Sequence, residues 1–239
     1  MNTLVFHEET GSSAEIIRAG GLVSVPTETV YGLAGDALRE DTVKKIYDVK
    51  GRPPVKPLSI MISGKEDMAL YASEVPKAAL TLADKFWPGP LTIVLKANNT
   101  IPAIVRAGGE TIGLRCPAHP LTLQLLREVK TALAAPSANL SGGKSPVCAQ
   151  EVLSVFDGRI DAVIDGGPCA LGTESTIADL KWLRENGLEA AILHLADRGA
   201  VIRFVRSGKM RKDPFQPDLR PARDLPDQFH VFRIRCHAD

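Results

Sequence analysis

Residues 20–51 read GGLVSVPTETVYGLAGDALREDTVKKIYDVKG, and their order decides how the chain folds. Leu22–Val25 is an apolar run of strand length, and Pro26 closes it. Pro26-Thr27-Glu28-Thr29 is polar and turn-forming. Asp41 is a good N-cap for a helix over Thr42–Lys50. Val43, Ile46, Tyr47 and Lys50 recur there at helical spacing, and Gly51 stops it. A buried strand, a polar loop and an amphipathic helix are the repeating unit of an α/β domain.

The alternation continues on both sides. Ser12 or Ser13 can cap a short helix through Ala14–Ala19, which stops at Gly20-Gly21. Strands are predicted at Leu58–Ile62, Leu91–Leu95, Thr111–Arg115, Thr131–Ala134, Ala162–Ile164, Ser175–Leu180 and Ala190–Leu195. Helices are predicted at Lys77–Trp87, Pro120–Val129 and Ala149–Phe156. The expected fold is a central sheet flanked by helices, with no internal repeat. A chain of 239 residues, 44% hydrophobic, can bury the core this requires. Near residue 203 the composition changes. Arg203, Arg206, Lys209, Arg211 and Lys212 crowd together, and Pro214, Pro217, Pro221 and Pro226 follow. Residues 1–206 are therefore read as the folded domain and 207–239 as a Pro-rich basic tail. Within the tail 207–228 is a loop or tether, and Phe229–Ile234 an added edge strand.

Composition excludes several classes. The 29 basic and 28 acidic residues nearly cancel, so overall charge gives no nucleic-acid signal. The four cysteines, Cys116, Cys148, Cys169 and Cys236, are far apart and form no Cys-x-x-Cys pair, which argues against a structural zinc site and for a reducing compartment. His119 lacks a nearby Cys, Asp or second His, so no metal ligand set is expected. No leader and no membrane span is evident, and the expectation is a soluble cytoplasmic protein.

Gly142-Gly143-Lys144-Ser145 imitates the end of a phosphate-binding P-loop. That loop needs a glycine five positions before Gly143, and Ala138 stands there. No Gly-x-Gly-x-x-Gly follows any predicted strand. Polar groups do collect at the ends of predicted strands: Thr27-Glu28-Thr29, Lys50-Gly51-Arg52, Arg115, Ser137-x-Asn139 and Glu174-Ser175-Thr176. In open α/β sheets ligands bind outside strand ends, and this mixture suits an anion with several oxygens. Each piece has a structural alternative: Pro-Thr-Glu-Thr as a plain turn, Lys50 and Arg52 as solvated cations at a helix end, Ser137 and Asn139 as turn formers. Trp87-Pro88-Gly89-Pro90 reads as a helix end and chain break without chemistry.

Together these stretches resemble the YrdC/Sua5 family, the threonylcarbamoyl-AMP synthases. The resemblance rests on PTETVYGLAGDA, IYDVKGRPPVKPLSI, FWPGPLTIVL, TIGLRCPAHP, APSANLSG and GTESTIADL, which occur in the family's order across roughly residues 12–180. It implies a twisted mixed sheet flanked by helices with an open, positively charged cleft. It also implies a nucleotidyltransferase reaction. L-Threonine and bicarbonate or CO2 form a carbamate whose carboxylate attacks the α-phosphate of ATP, giving threonylcarbamoyl-AMP and pyrophosphate. A partner transferase complex would then modify adenosine 37 of tRNA. By residue matching, Lys50, Arg52, Ser137 and Asn139 line the catalytic site. Arg52, Lys56, Thr111, Asn139 and Val147 face ATP, and Thr29, Arg115, Ser137 and Ser175 hold threonine. Magnesium bridges the phosphates through water and phosphate oxygens. Two departures stand out. His194 occupies the place of the family's usual nucleotide-contacting Arg, with Arg198 displaced by simple counting, and 207–239 is short for the second domain of longer members.

A different class remains in view: a non-catalytic module of the same fold that binds double-stranded RNA through the cleft and the basic run 203–212. Aromatics at only 5% disfavour a single-strand stacking platform. A carbamoyl-transfer domain of hydrogenase maturation is disfavoured by the lack of zinc-finger-like Cys motifs.

Overall fold

The computed structural model describes residues 2–180, 188–196 and 199–206, with side chains through 180. The tail 207–239, its predicted edge strand and Arg198 lie outside the described residues. The chain runs β1 (Leu4–His7), α1 (Gly11–Arg18), β2 (Val23–Val25), β3 (Gly32–Asp36), α2 (Glu40–Lys50) and β4 (Ile60–Met61). A 3-10 turn at Lys65–Asp67 leads to α3 (Met68–Tyr71), α4 (Lys77–Phe86), β5 (Leu91–Lys96), β6 (Thr111–Arg115), α5 (Pro120–Val129) and β7 (Leu133–Ala134). Then come α6 (Ala149–Phe156), β8 (Ala162–Asp165), β9 (Thr176–Asp179), β10 (Leu188–Ala196) and β11 (Gly199–Arg206).

Among the described residues nine strands make one mixed sheet, ordered β1-β8-β2-β3-β7-β4-β6-β5-β9, and β10 pairs antiparallel with β11. The expected mixed α/β fold is therefore present. Three strands have no counterpart in the sequence reading. Strand β1 is short, its Leu4 and Val5 are exposed, and its partner Ala162 is remote in sequence. Strand β3 reads GLAGD, two glycines in five residues, which is poor strand composition. Strand β11 contains Arg203 and Arg206, which the basic composition assigns to the approach of a tail. His194 lies on β10, opposite Val201.

Helix starts also differ from expectation. Helix α1 begins at Gly11 after Thr10, which makes no side-chain cap bond; Ser12 lies inside the first turn and donates from Oγ to Glu9 Oε1 at 2.9 Å. Asp41 is likewise inside α2, not its cap. It pairs with Arg39 at 2.9 Å, and that hydrogen bond holds its carboxyl down at about 2. Gly51 ends α2 as expected, in the left-handed conformation at φ 59°.

Pleat alternation sorts the core into two layers. Leu33, Ile60, Ile62, Ala134 and Val163 join Val43 and Ile46 of α2, Leu82 and Phe86 of α4, and Val152 and Phe156 of α6. Their neighbours Ala34, Met61, Leu133, Ala162 and Ile164 join Ala14 and Ile17 of α1 and Leu125, Leu126 and Val129 of α5. Phe156 is fully buried, and removing a side chain of that size from water contributes about 2–3 kcal/mol.

The second layer stops part-way across the sheet. It contains no residue of β5, β6 or β9. On those strands Leu91, Ile93, Leu95, Ile112, Leu114 and Ala178 belong to the first layer. Alternation therefore turns Thr92, Thr111, Gly113 and Arg115 to the opposite face. That face is polar at Thr92, Thr111 and Arg115 but also carries Val94 and Ile177, and no residue of the second core layer lies on these strands.

Gly35 lets β3 and α2 approach. A Cβ there would lie 2.5 Å from Thr42 Cγ2 and 3.0 Å from Leu22 Cδ2. Gly35→Ala is expected to destabilise the fold by about 1–3 kcal/mol through overpacking. Urea unfolding will measure this as a lower midpoint with an unchanged slope.

Candidate active site

The strand register fixes where the candidate residues stand. Met61 faces both Leu133 and Arg115, whereas Ile60 faces Ala134 and Leu114. Counting along the ladder puts Ser137, which bridges to Gly32, level with Pro57 and Thr111. Thr111 and Arg115 open and close β6 on one face, about 13 Å apart at strand rise. Thr29, Arg52, Lys56, Ser137, Asn139 and Ser175 stand in loops beside strands, Lys50 ends α2, and Thr111 and Arg115 are the two end residues of β6. The loop after β2 reaches across to meet Arg115.

At the Thr111 end, Lys50 is the organising group. It is 2% exposed, so its reading as a solvated cation fails. Its Nζ donates to Ser137 O and Asn139 O, both at 2.6 Å, and Ser141 N donates to Lys50 O at 2.9 Å. The C-terminus of α2 is therefore fastened to the loop after β7. Asn139 Nδ2 donates to Leu140 O at 2.8 Å and Gly143 O at 2.7 Å, closing a turn. Its Oδ1 is buried and meets no donor among the described residues. Arg52 folds over the next loop, donating from Nε to Lys56 O at 3.3 Å and from Nη2 to Pro57 O at 3.0 Å.

At the Arg115 end the polar atoms are more tightly bound. Arg115 Nη2 donates to Glu28 Oε1 at 2.7 Å and to Thr29 Oγ1 at 2.8 Å. Its Nε donates to Gly89 O at 3.3 Å. Thr27 Oγ1 and Thr29 Oγ1 lie 2.8 Å apart, and Thr27 Oγ1 donates its single proton to Val30 O at 2.6 Å. Thr27 Oγ1 also accepts from Thr29 N at 3.1 Å and Val30 N at 3.2 Å, so the Thr29 hydroxyl keeps its proton for Thr27 or a ligand and one lone pair beside the bond from Arg115. Ser175 Oγ lies 2.9 Å from Thr92 Oγ1.

The structure thus brings together Lys50, Ser137 and Asn139, then Arg52 with Lys56, and Thr29 with Arg115. Val147 follows Pro146, whose carbonyl accepts from Tyr31 N at 2.9 Å beside the Ser137–Asn139 loop; the amide of Val147 donates to Glu151 and its carbonyl accepts from Cys169 N at 2.8 Å. No described contact joins it to Arg52, Lys56 or Thr111. Lys144 is a surface cation, its side chain 82% exposed and 3.5 Å from Glu151. Ser145 Oγ bonds Glu174, so the Gly-Lys-Ser sequence wraps nothing.

Sequence reasoning missed three participants. Glu28 was within the quoted loop, and a carboxylate between two threonines was its signal. Gly89 lies in the Trp87–Pro90 segment, read from sequence as a helix end and chain break. Its carbonyl holds Arg115, and a Cβ at Gly89 would lie 2.3 Å from Phe86 O. Tyr31 is fully buried, and its hydroxyl donates to Gly167 O at 2.8 Å and accepts from Gly166 N at 3.2 Å. Burial raises its phenol pKa, so it acts as a neutral donor. Burial also pushes the His119 imidazole down and the Cys116 thiol up to about 11. Cys116, Cys148 and Cys169 are free thiols.

A twisted mixed sheet with this face is the architecture of a known family. The chain belongs to the Sua5/YciO/YrdC family, whose profile, described as telomere recombination, matches residues 15–189. The threonylcarbamoyl-AMP synthase of Pyrococcus abyssi is 46% identical over 181 residues, covering 74% of this chain and 53% of its own length. That of Bacillus subtilis is 44% identical over 170 residues, covering 71% of this chain and 49% of its own length. The solved structure of P. abyssi Sua5 complexed with L-threonine matches with a TM-score of 0.73 at 42% identity, over 76% of this chain and 55% of that one. The chain spans about half the length of these curated relatives. Among the described residues no helix is long and apolar enough to cross a membrane.

Proposed function

We propose that this chain is a threonylcarbamoyl-AMP synthase, making the mixed anhydride and pyrophosphate from L-threonine, bicarbonate or CO2, and ATP. The observation that carries the reading is the convergence of Lys50 on Ser137 and Asn139. Residues from the two most specific motifs, far apart in sequence, form one wall. The names of the relatives support the same activity.

The two ends of the polar face suit two substrates. Lys50, Arg52, Lys56 and Thr111 offer cationic and hydroxyl donors for ATP, and Asn139 Oδ1 offers an acceptor for an N–H or O–H. Arg115 takes the threonine carboxylate. Thr29 accepts from the amine or the β-hydroxyl, beside Ser175. The span of about 13 Å leaves room for a carbamate between them. After losing its ammonium proton to solvent, the threonine nitrogen adds to CO2 and releases a second proton to solvent, leaving the carbamate. A carbamate oxygen then displaces pyrophosphate at the α-phosphorus. Such a step is accelerated mainly by alignment and by charge neutralisation, and the surplus of cations makes the cleft positive.

Among the described residues no three His, Cys, Asp or Glu side chains gather to hold a metal. The donor set fits magnesium as a companion of the ATP phosphates, carried by their oxygens and water, where it would neutralise charge. The product is unstable cargo for a transferase complex acting on tRNA adenosine 37.

The test is pyrophosphate release from ATP and bicarbonate, with and without L-threonine. Release is expected to depend on threonine. Threonine-independent release, or none, overturns the reading.

A further inference from the structure

We propose that Glu28 is a positioning residue for amino-acid binding: it holds Arg115 so that a single terminal nitrogen, Nη1, is presented to the substrate carboxylate. This inference rests on the proposed synthase reading and assigns a role to a residue outside its binding set.

The geometry is specific. Glu28 uses both carboxylate oxygens, Oε1 on Arg115 Nη2 at 2.7 Å and Oε2 on Ala118 N at 2.8 Å. Its backbone carbonyl accepts from Leu171 N at 2.8 Å. One residue therefore ties together the loop after β2, the end of β6, the turn before α5 and the loop before β9. Both protons of Arg115 Nη2 are spent, on Glu28 and on Thr29. Nε points to Gly89 O. A guanidinium often grips a carboxylate with two prongs, through Nη2 and a neighbouring nitrogen. Here that grip is occupied from within the protein, and Nη1 is the nitrogen with no described acceptor.

A role as proton acceptor for the threonine ammonium fits less well. Both oxygens of Glu28 already accept hydrogen bonds, from Arg115 Nη2 and from Ala118 N, so the carboxylate is engaged within the protein. The ion pair is also shielded, with side-chain exposures of 9% for Arg115 and 14% for Glu28. It is therefore little screened by salt. Its purpose in this arrangement is to fix the plane of the guanidinium.

Glu28→Gln keeps the shape but turns one oxygen into a donor that faces Ala118 N–H or Arg115 N–H. Steady-state kinetics should show the KM for threonine rising about tenfold or more, with the KM for ATP unchanged and kcat within about threefold. Calorimetric binding of threonine alone should weaken by the same factor. Glu28→Asp, which retains the charge but shortens the reach, should fall between. An unchanged threonine KM overturns the proposal. So does a parallel rise in both KM values, which marks a merely structural residue. A loss confined to kcat, with an altered acid limb of its pH profile, overturns it in favour of a base. If Glu28→Gln does not fold, the same criteria apply to Glu28→Asp. Wild-type protein that turns over with threonine while both variants match it sinks this inference alone; wild-type protein without threonine-dependent release sinks the synthase reading instead.

Discussion

Lys50→Met will reduce threonine-dependent pyrophosphate release by about 10²–10³-fold, the scale on which removing one preorganised electrostatic group acts. Methionine fills the space, so the packing of α2 persists while the ammonium is lost. The part-buried Ser137 O and the buried Asn139 O then lose a donor at 2.6 Å. Each unsatisfied group costs about 1–3 kcal/mol, so stability should also fall, by roughly 2–4 kcal/mol. The two effects separate by assaying well below the lowered melting temperature. If the folded variant keeps near wild-type turnover, Lys50 is a brace for the loop and has no part in the chemistry.

Arg115→Met will raise the KM for threonine by about 100-fold or more and destabilise the fold by roughly 3 kcal/mol. Removing one member of a buried ion pair typically costs 3–5 kcal/mol, and the partial exposure of Glu28 favours the lower figure. The stability loss comes largely from the stranded carboxylate. Arg115→Met combined with Glu28→Gln should therefore recover most of the stability and none of the threonine binding. Thermal unfolding and threonine titration of the three variants measure this. A double variant as unstable as Arg115→Met would place the loss in the contacts of Arg115 with Thr29 and Gly89.

The sequence reading succeeded where signals were local. Helices α5 and α6 fall on their predicted spans, and β6 is predicted residue for residue, because amphipathic spacing and β-branched runs are short-range patterns. It failed on β3, where Gly35 serves close packing against α2 and two glycines in five residues carry little strand propensity. It failed on β1, an edge strand defined by a parallel partner remote in sequence. The candidate site was legible as a set of motifs: Lys50 does meet Ser137 and Asn139, and Thr29 does meet Arg115. Its geometry was not. Only the register shows that Thr111 and Arg115 share one face. The service of Glu28 and of the Gly89 carbonyl depends on bonds between distant loops, which no local pattern encodes.

The loop that crosses from β2 to Arg115 has a consequence for how the protein is assembled. Its bond from Glu28 to Arg115 spans 87 residues, and the bond from Lys50 at the end of α2 to Asn139 spans 89. Contacts of such range form late, after the entropy of chain closure has been met by the sheet itself. A nascent or truncated chain that has built α2 but not β6 and β7 holds the motifs without the catalyst. The proposed activity would thus be a property of the completed chain topology.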